Sequence, residues 1–259
     1  MSRTLIYLLL IPAIYIFGCE ATPKDIVENC SDPQVKEILV RSLEKTGGVT
    51  NWQQLAKIKF DKITQFYDST GQIESRSDQH HRYHFYPKHI LEIIWQDSSG
   101  NHQLMLRDGK VEKYVNGKVA ESVDSVASLN TLLASEYAIL LPFKLLDPGV
   151  KLSYEGVDTL SGNLVYVLKA RYQPEDIAFK DSTDIWWHYF DTDSYLHEGY
   201  RVKHADHFSL VINEDYASND NFLLPSRRTS YRVDEAGTLL FRRADYQYSN
   251  FHVKSRKIR

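Results

Sequence analysis

Apolar residues near the start of the polar chain recur at helical spacing. Val35, Ile38, Leu39 and Leu43 fall at i, i+3, i+4 and i+8, on one face of a helix. Asp32 and Pro33 supply an N-cap and a first-turn proline, and Gly47-Gly48 ends the element. Trp52 and Leu55 belong to a short following segment. The period then changes to two. Ile58, Phe60, Ile63 and Phe66 lie on a strand-like run that closes at Asp68-Ser69-Thr70-Gly71. Residues 73–86 continue extended to Pro87, and the apolar run Ile90 to Trp95 stops at Ser98-Ser99-Gly100-Asn101. Leu104 and Leu106 follow, with a tight turn at Asp108-Gly109. Val111 to Val115 then meets Asn116-Gly117, the strongest short hairpin signal in the chain. The pattern is that of an antiparallel meander.

One segment breaks it. Between 123 and 141, Val126, Leu129, Leu132, Leu133, Tyr137, Leu140 and Leu141 sit at helical spacing without Gly or Pro, and Pro142 stops the run. Extended segments resume at 150–157, 164–172, 184–191, 195–204, 207–215, 222–233 and 238–252. About ten or eleven strands with two helices predict an α+β chain. Its main element is a single strongly curved antiparallel sheet, an open half-barrel with one helix plugging the concave face. No linker or sustained repeat interrupts residues 32–259, which read as a single domain.

Aromatic residues strengthen the curved-sheet reading. The chain carries 4 Trp, 17 Tyr and 11 Phe, and several alternate along strands: Tyr83 with Phe85, Trp187 with Tyr189, Tyr246 with Tyr248. Such rings either fill a curved sheet or line a cavity within it. The 123–141 helix is the one long apolar element available to close the hollow. Trp95, Leu129, Leu133, Tyr137, Phe143, Trp187 and Tyr189 are the candidate apolar cavity residues.

The first 18 residues place the chain. One arginine, an apolar run from Leu5 to Phe17 and Gly18 have the form of a secretory signal peptide, too short for comfortable spanning. Ile16-Phe17-Gly18-Cys19 resembles the lipobox of bacterial lipoproteins, although Phe17 is bulkier than that motif prefers. The resemblance implies that Cys19 becomes an acylated N-terminus, so that acyl chains hold the protein on a membrane. Glu20 after the cysteine favours the outer membrane by resemblance to the sorting rule. Residues 19–31 are then the lipidated N-terminus and tether, and Cys30 is a solitary thiol with no activating neighbour.

Charge and motifs narrow the chemistry. A net charge of -3 gives no electrostatic reason to expect nucleic acid, and two cysteines exclude a disulfide scaffold or a multi-Cys zinc module. Two histidine groups stand out: His80, His81 and His84 on a strand, and His204 and His207 around Asp206. Neither has metal-ligand spacing with a carboxylate, and short polar runs at strand ends commonly hold solvated histidines. No nucleophile elbow, dinucleotide fingerprint or phosphate loop is present. The expectation is no metal, no cofactor and no enzymatic activity. Arg227-Arg228 and Arg242-Arg243 each read as one residue facing out from a strand, and Lys254, Arg256, Lys257 and Arg259 as a solvated basic tail.

Several segments together resemble an uncharacterised family of lipoproteins from Gram-negative bacteria. They are Gly47-Gly48 with Trp52, Pro142 to Gly149 followed by Leu152 to Gly156, Trp186 to Asp191, and Leu224 to Arg228. That family is similar in architecture to the lipoprotein carriers LolA and LolB. The resemblance implies an incomplete barrel closed by helices around a cavity for acyl chains. It also implies a carrier arginine and a membrane-inserting loop, neither of which maps onto a residue of this sequence. The leading expectation is therefore an outer-membrane lipoprotein that binds a lipid, an acyl chain or another apolar ligand. The alternative is a structural or interaction lipoprotein with a filled core and an envelope protein partner. An envelope hydrolase ranks third.

Overall fold

The computed structural model describes residues 32–172 and 184–256. The signal peptide, Cys19, the tether and Cys30 lie outside the described residues. Helix α1 (Pro33–Lys45) starts where the sequence places it: the Asp32 carboxylate accepts from the amides of Gln34 at 2.9 Å and Val35 at 3.4 Å. Its apolar stripe, Val35, Ile38, Leu39 and Leu43, is buried. A short helix α2 (Val49–Gln53) follows and buries Trp52.

Thirteen strands are present among the described residues, rather than ten or eleven. They are β1 (Leu55–Tyr67), β2 (Ile73–His84), β3 (Ile90–Asp97), β4 (Gly100–Arg107), β5 (Lys110–Val115) and β6 (Lys118–Val119) in the first half. The second half holds β7 (Val150–Leu160), β8 (Asn163–Tyr172), β9 (Ile185–Asp191), β10 (His197–Lys203), β11 (Phe208–Asn219), β12 (Phe222–Val233) and β13 (Leu239–Ser255). The undercount has a physical cause. β6 is only two residues long and shows no alternation, and the first half of β4 is Gly-Asn-His-Gln, with no apolar residue to mark it. Among the described residues three α-helices and a 3-10 turn (Phe143–Leu146) are present, where two helices are expected.

All thirteen strands form one antiparallel sheet in the order β6-β5-β4-β3-β2-β1-β13-β12-β11-β10-β9-β8-β7. The sheet does not close, and β6 and β7 are its margins. β1 and β13 join the two meanders at the centre, paired from Leu55 opposite Ser255 to Phe66 opposite Ala244 with two register shifts before Asp61. Helix α3 (Ser125–Leu140), begun by the Asp124 carboxylate accepting from Ala127 N, lies in the segment that links one margin to the other. It therefore has to cross a face of the sheet. Leu132, Ile139 and Leu140 join a core cluster with Ile58, Phe60 and Leu91, while Tyr137 joins another with Val35, Phe190 and Trp186. A third, smaller cluster gathers Val165, Val167, Tyr189, Leu210 and Val233.

Two glycines matter to the sheet. Asn116 and Gly117, at φ 52° and 76°, make the two-residue β5–β6 turn that their dipeptide predicts. Gly199 sits at a register shift in β10 with φ 155°, and a Cβ there would lie 2.1 Å from the Val211 carbonyl oxygen of β11. Backbone cannot yield as a flexible side chain would. Gly199→Ala is expected to lower stability by about 1–3 kcal/mol, read from the urea unfolding midpoint. An unchanged midpoint would contradict the close approach.

Candidate functional site

The second meander and the centre of the sheet carry a row of side chains that share one face. The pairings Ser77–Thr64, Thr64–Tyr246, Tyr246–Arg228 and Arg228–Asn213 run straight across β2, β1, β13, β12 and β11. A parallel row holds Gln79, Lys62 and Tyr248. Opposite these rows, α3 presents Thr131, Ala134, Ser135 and Ala138, spaced i, i+3, i+4 and i+7. Small side chains on the helix leave space that larger ones would take. The result is a cavity of about 400 Å³ between helix and sheet. Its rim includes the exposed Thr131 and Ala134, and its buried walls include Thr64, Ile93, Val211, Arg228 and Tyr248.

The cavity has a positive field. Arg228 is 2% exposed, yet no carboxylate pairs with it among the described residues. Its Nε donates to Asn213 Oδ1 at 2.7 Å, and one terminal nitrogen donates to the Ala138 carbonyl of α3 at 2.7 Å. Its third nitrogen makes no hydrogen bond within the described residues. Lys62 makes neither a hydrogen bond nor an ion pair there, and its Nζ lies 5.3 Å from the Tyr246 ring centre. Both cations lie near the Tyr248 ring, Lys62 Nζ 6.0 Å and Arg228 Cζ 5.6 Å from its centre.

Behind Arg228 lies a buried polar chain. Asn213 donates to the His197 carbonyl, as does the Tyr216 hydroxyl, and His197 Nε2 is 3.1 Å from His188 Nδ1. His188 Nε2 lies 3.4 Å from the Tyr137 hydroxyl, which also bonds to Tyr172. Burial, aided by Arg228, pulls His197 down to about 3, so its ring is neutral. Burial pushes Tyr200 up to about 12 despite Arg228, which acts in the opposite direction. On the other side, burial and then Lys62 hold the His81 imidazole well below its usual range, and its ring stacks on Phe60 at 4.6 Å.

A second cleft of about 520 Å³ borders α3 on its flank toward α2. Trp52, Leu55, Phe85, Leu140 and Phe143 form its apolar part, and Glu136 and His89 bond across it at 2.6 Å. The candidate residues read from the sequence divide among these places. Leu133 and Phe143 line the second cleft. Trp95 and Leu129 pack on the cluster around Phe60, and Tyr137 is buried between Trp186 and Tyr172. Trp187 and Tyr189 belong to the third cluster, on the opposite parity of β9 from Trp186 and His188. None of the seven lines the cavity between α3 and the central strands. Tyr246 and Tyr248, read from their alternation, do.

The first histidine run divides between two faces of β2, while the rings of His204 and His207 stay together with centres 4.5 Å apart. His80 bonds to Asp61 at 2.5 Å on one face, while His81 turns inward to the Tyr83 hydroxyl at 2.7 Å. His204 reaches Asp184 and His207 reaches Asp206. Among the described residues no group of three or more His, Cys, Asp or Glu is arranged to hold a metal ion. No helix among them is long and apolar enough to cross a membrane.

The chain belongs to the family described as Family of unknown function (DUF6503), whose model matches residues 27–235. No curated protein matches the sequence. Among solved structures, a DUF1329 family protein from Desulfovibrio piger aligns with a TM-score of 0.50 at 10% identity, covering 85% of this chain and 93% of that one. A LolA superfamily protein from Nitrosomonas europaea aligns at 0.49 and 9% identity, over 86% and 94% of the two chains. A domain from Vibrio parahaemolyticus, described as outer membrane lipoprotein-sorting, aligns at 0.47 and 9% identity, over 85% and 90%. The resemblance drawn from the sequence thus has its counterpart: a family of unknown function with the open antiparallel sheet of the Desulfovibrio protein. At such identities the likeness is one of fold.

Proposed function

We propose that this DUF6503 protein is a binding lipoprotein of the bacterial envelope, holding an amphiphilic or apolar ligand between α3 and the concave face of its sheet. Residues 1–18 are the signal peptide, Cys19 carries the acyl anchor, and residues 20–31 tether the domain to the outer membrane. Helix α3 is the plug of the half-barrel, and it plugs incompletely.

The observation that carries this reading is the 400 Å³ space left between α3 and the central strands. It lies within the size range of small-ligand sites and has ring and aliphatic walls. Burying about 200 Å² of acyl chain there is worth roughly 5 kcal/mol without finely placed polar partners. A filled core, as the interaction-protein alternative requires, fits poorly with that space. A glycoside hydrolase of the common kind needs paired carboxylates, and no Asp or Glu is among the described residues that line the cavity. Arg228 also supplies a link between helix and sheet through the Ala138 carbonyl, so opening the site means breaking one charge-assisted hydrogen bond.

The test is recovery of ligand. Native mass spectrometry of the full chain, extracted gently from membranes, is expected to show one bound amphiphile per chain. Ala138→Phe puts a ring into the space and is expected to cut recovery at least about tenfold while the circular dichroism spectrum stays unchanged. An empty protein, or equal recovery from the variant, would overturn the proposal.

A further inference from the structure

The cavity is more specific than an oil pocket needs to be. Acyl chains ask only for dry apolar walls, yet this one encloses two cations with no carboxylate to neutralise them among the described residues. Arg228 is nearly fully buried and keeps one guanidinium nitrogen uncommitted. Lys62 has the Tyr246 and Tyr248 rings near its charge and no carboxylate bonded to it among the described residues. Both sit on the same floor, and Tyr248 joins them. The hydroxyls of Thr64, Ser77 and Tyr246 lie along the same register row. Phe66, Ile93 and Val211 supply apolar wall beside them. A buried cation without a counter-ion is costly, and an anion that enters with its own apolar tail removes that cost.

We infer that the ligand is a single-chain amphiphile with an anionic head, a carboxylate or a phosphate monoester, which Lys62 and Arg228 receive while the chain lies against the apolar wall. The volume suits one chain and not several. In this assignment one head group is met by a mobile ammonium from β1 and a planar fork from β12, the two strands that flank β13. This inference rests on the binding reading above and names the chemical class of its ligand.

The experiment is photolabelling of membranes that carry the full chain. Four 16-carbon probes bear a diazirine in the chain and differ only in the head: carboxylate, phosphate, hydroxyl and trimethylammonium. Adducts on peptides from β1, β13 and α3 are quantified by mass spectrometry and normalised to labelling elsewhere on the chain. Carboxylate or phosphate, or both, is expected to label these peptides about tenfold more than the alcohol or the ammonium. The one that does so identifies the head. Lys62 makes no structural bond, so Lys62→Gln is expected to fold normally and to bring the anion down toward the alcohol. Lys62→Arg is expected to retain most of it. Equal labelling by acid and alcohol, or an unmoved Lys62→Gln variant, would sink the anionic head while leaving an apolar site in place. Strongest labelling by the ammonium would do the same. Absence of cavity adducts with every probe would remove the binding reading itself.

Discussion

Arg228→Met is expected to cost about 2–4 kcal/mol of folding stability and to expose α3 to hydrogen exchange. Methionine fills a similar volume but donates nothing, so Asn213 Oδ1 and the Ala138 carbonyl both lose their partner. Each orphaned acceptor in a buried setting costs about 1–3 kcal/mol. A term of opposite sign exists, because the variant no longer desolvates a guanidinium. That term is reduced here, since the arginine borders an open cavity and a tyrosine face, and the two lost acceptors outweigh it. Arg228→Lys keeps the charge but has no fork to span both acceptors, and is expected to recover at most about half the loss. Chemical unfolding gives the free energy, and exchange rates across 125–140 give the local effect. A methionine variant within about 0.5 kcal/mol of the parent, with α3 protection intact, would show that the helix is held by packing alone.

Acidification is the second large effect. His81 and His197 are held neutral in the folded chain, chiefly by burial. In the unfolded chain both take up a proton near pH 6.5. A folded-state pKa below the unfolded value means that stability is full above pH 6.5. It falls as the pH drops through that value toward about 3, where His197 titrates in the fold. At pH 5 His197 accounts for roughly 2 kcal/mol of the loss, and His81 adds to it in the same direction. His84 and His204 are shifted the same way, also by burial, and add to the trend. Asp61, Asp191 and Asp206 have lowered carboxyl pKa values, so their contribution fades only at more acidic pH. The window from pH 7 to 5 therefore reports chiefly on the imidazoles, with Glu198, whose carboxyl is raised by burial, acting in the opposite direction. Urea midpoints for the parent and His197→Gln at the two pH values provide the check. The variant is expected to lose clearly less stability on acidification, whatever its stability at pH 7. Parallel losses would mean that His197 is protonated in the fold.

Much of the architecture can be read from local pattern, because caps, turns and alternation are local physics. Asp32-Pro33 opens α1, Asn116-Gly117 turns a hairpin, and the helical stripe between 123 and 141 becomes Ser125–Leu140. The site is harder because it depends on register, and register is set by pairing between distant strands. Trp187 and Tyr189 show the difficulty: their alternation is right for a strand, but parity alone does not say which face meets the helices. Arg227-Arg228 shows it again. Arg227 faces outward to Asp215 at 3.5 Å, as one member of the pair is expected to, while its neighbour is the most voluminous fully buried side chain described. One signal was available and points the other way from intuition. Large rings occur both in packed core and on cavity walls, as Tyr137 and Tyr246 show, whereas Thr131, Ala134, Ser135 and Ala138 mark by their smallness where the helix stands off the sheet.

The central seam has a kinetic consequence. Leu55 pairs with Ser255, so the strand that starts the sheet waits for the one that ends it. A chain emerging amino-terminus first can build β1 to β6 as a local meander, but β1 keeps a bare edge until β13 is delivered. Such a distant closure is slow and leaves a sticky intermediate.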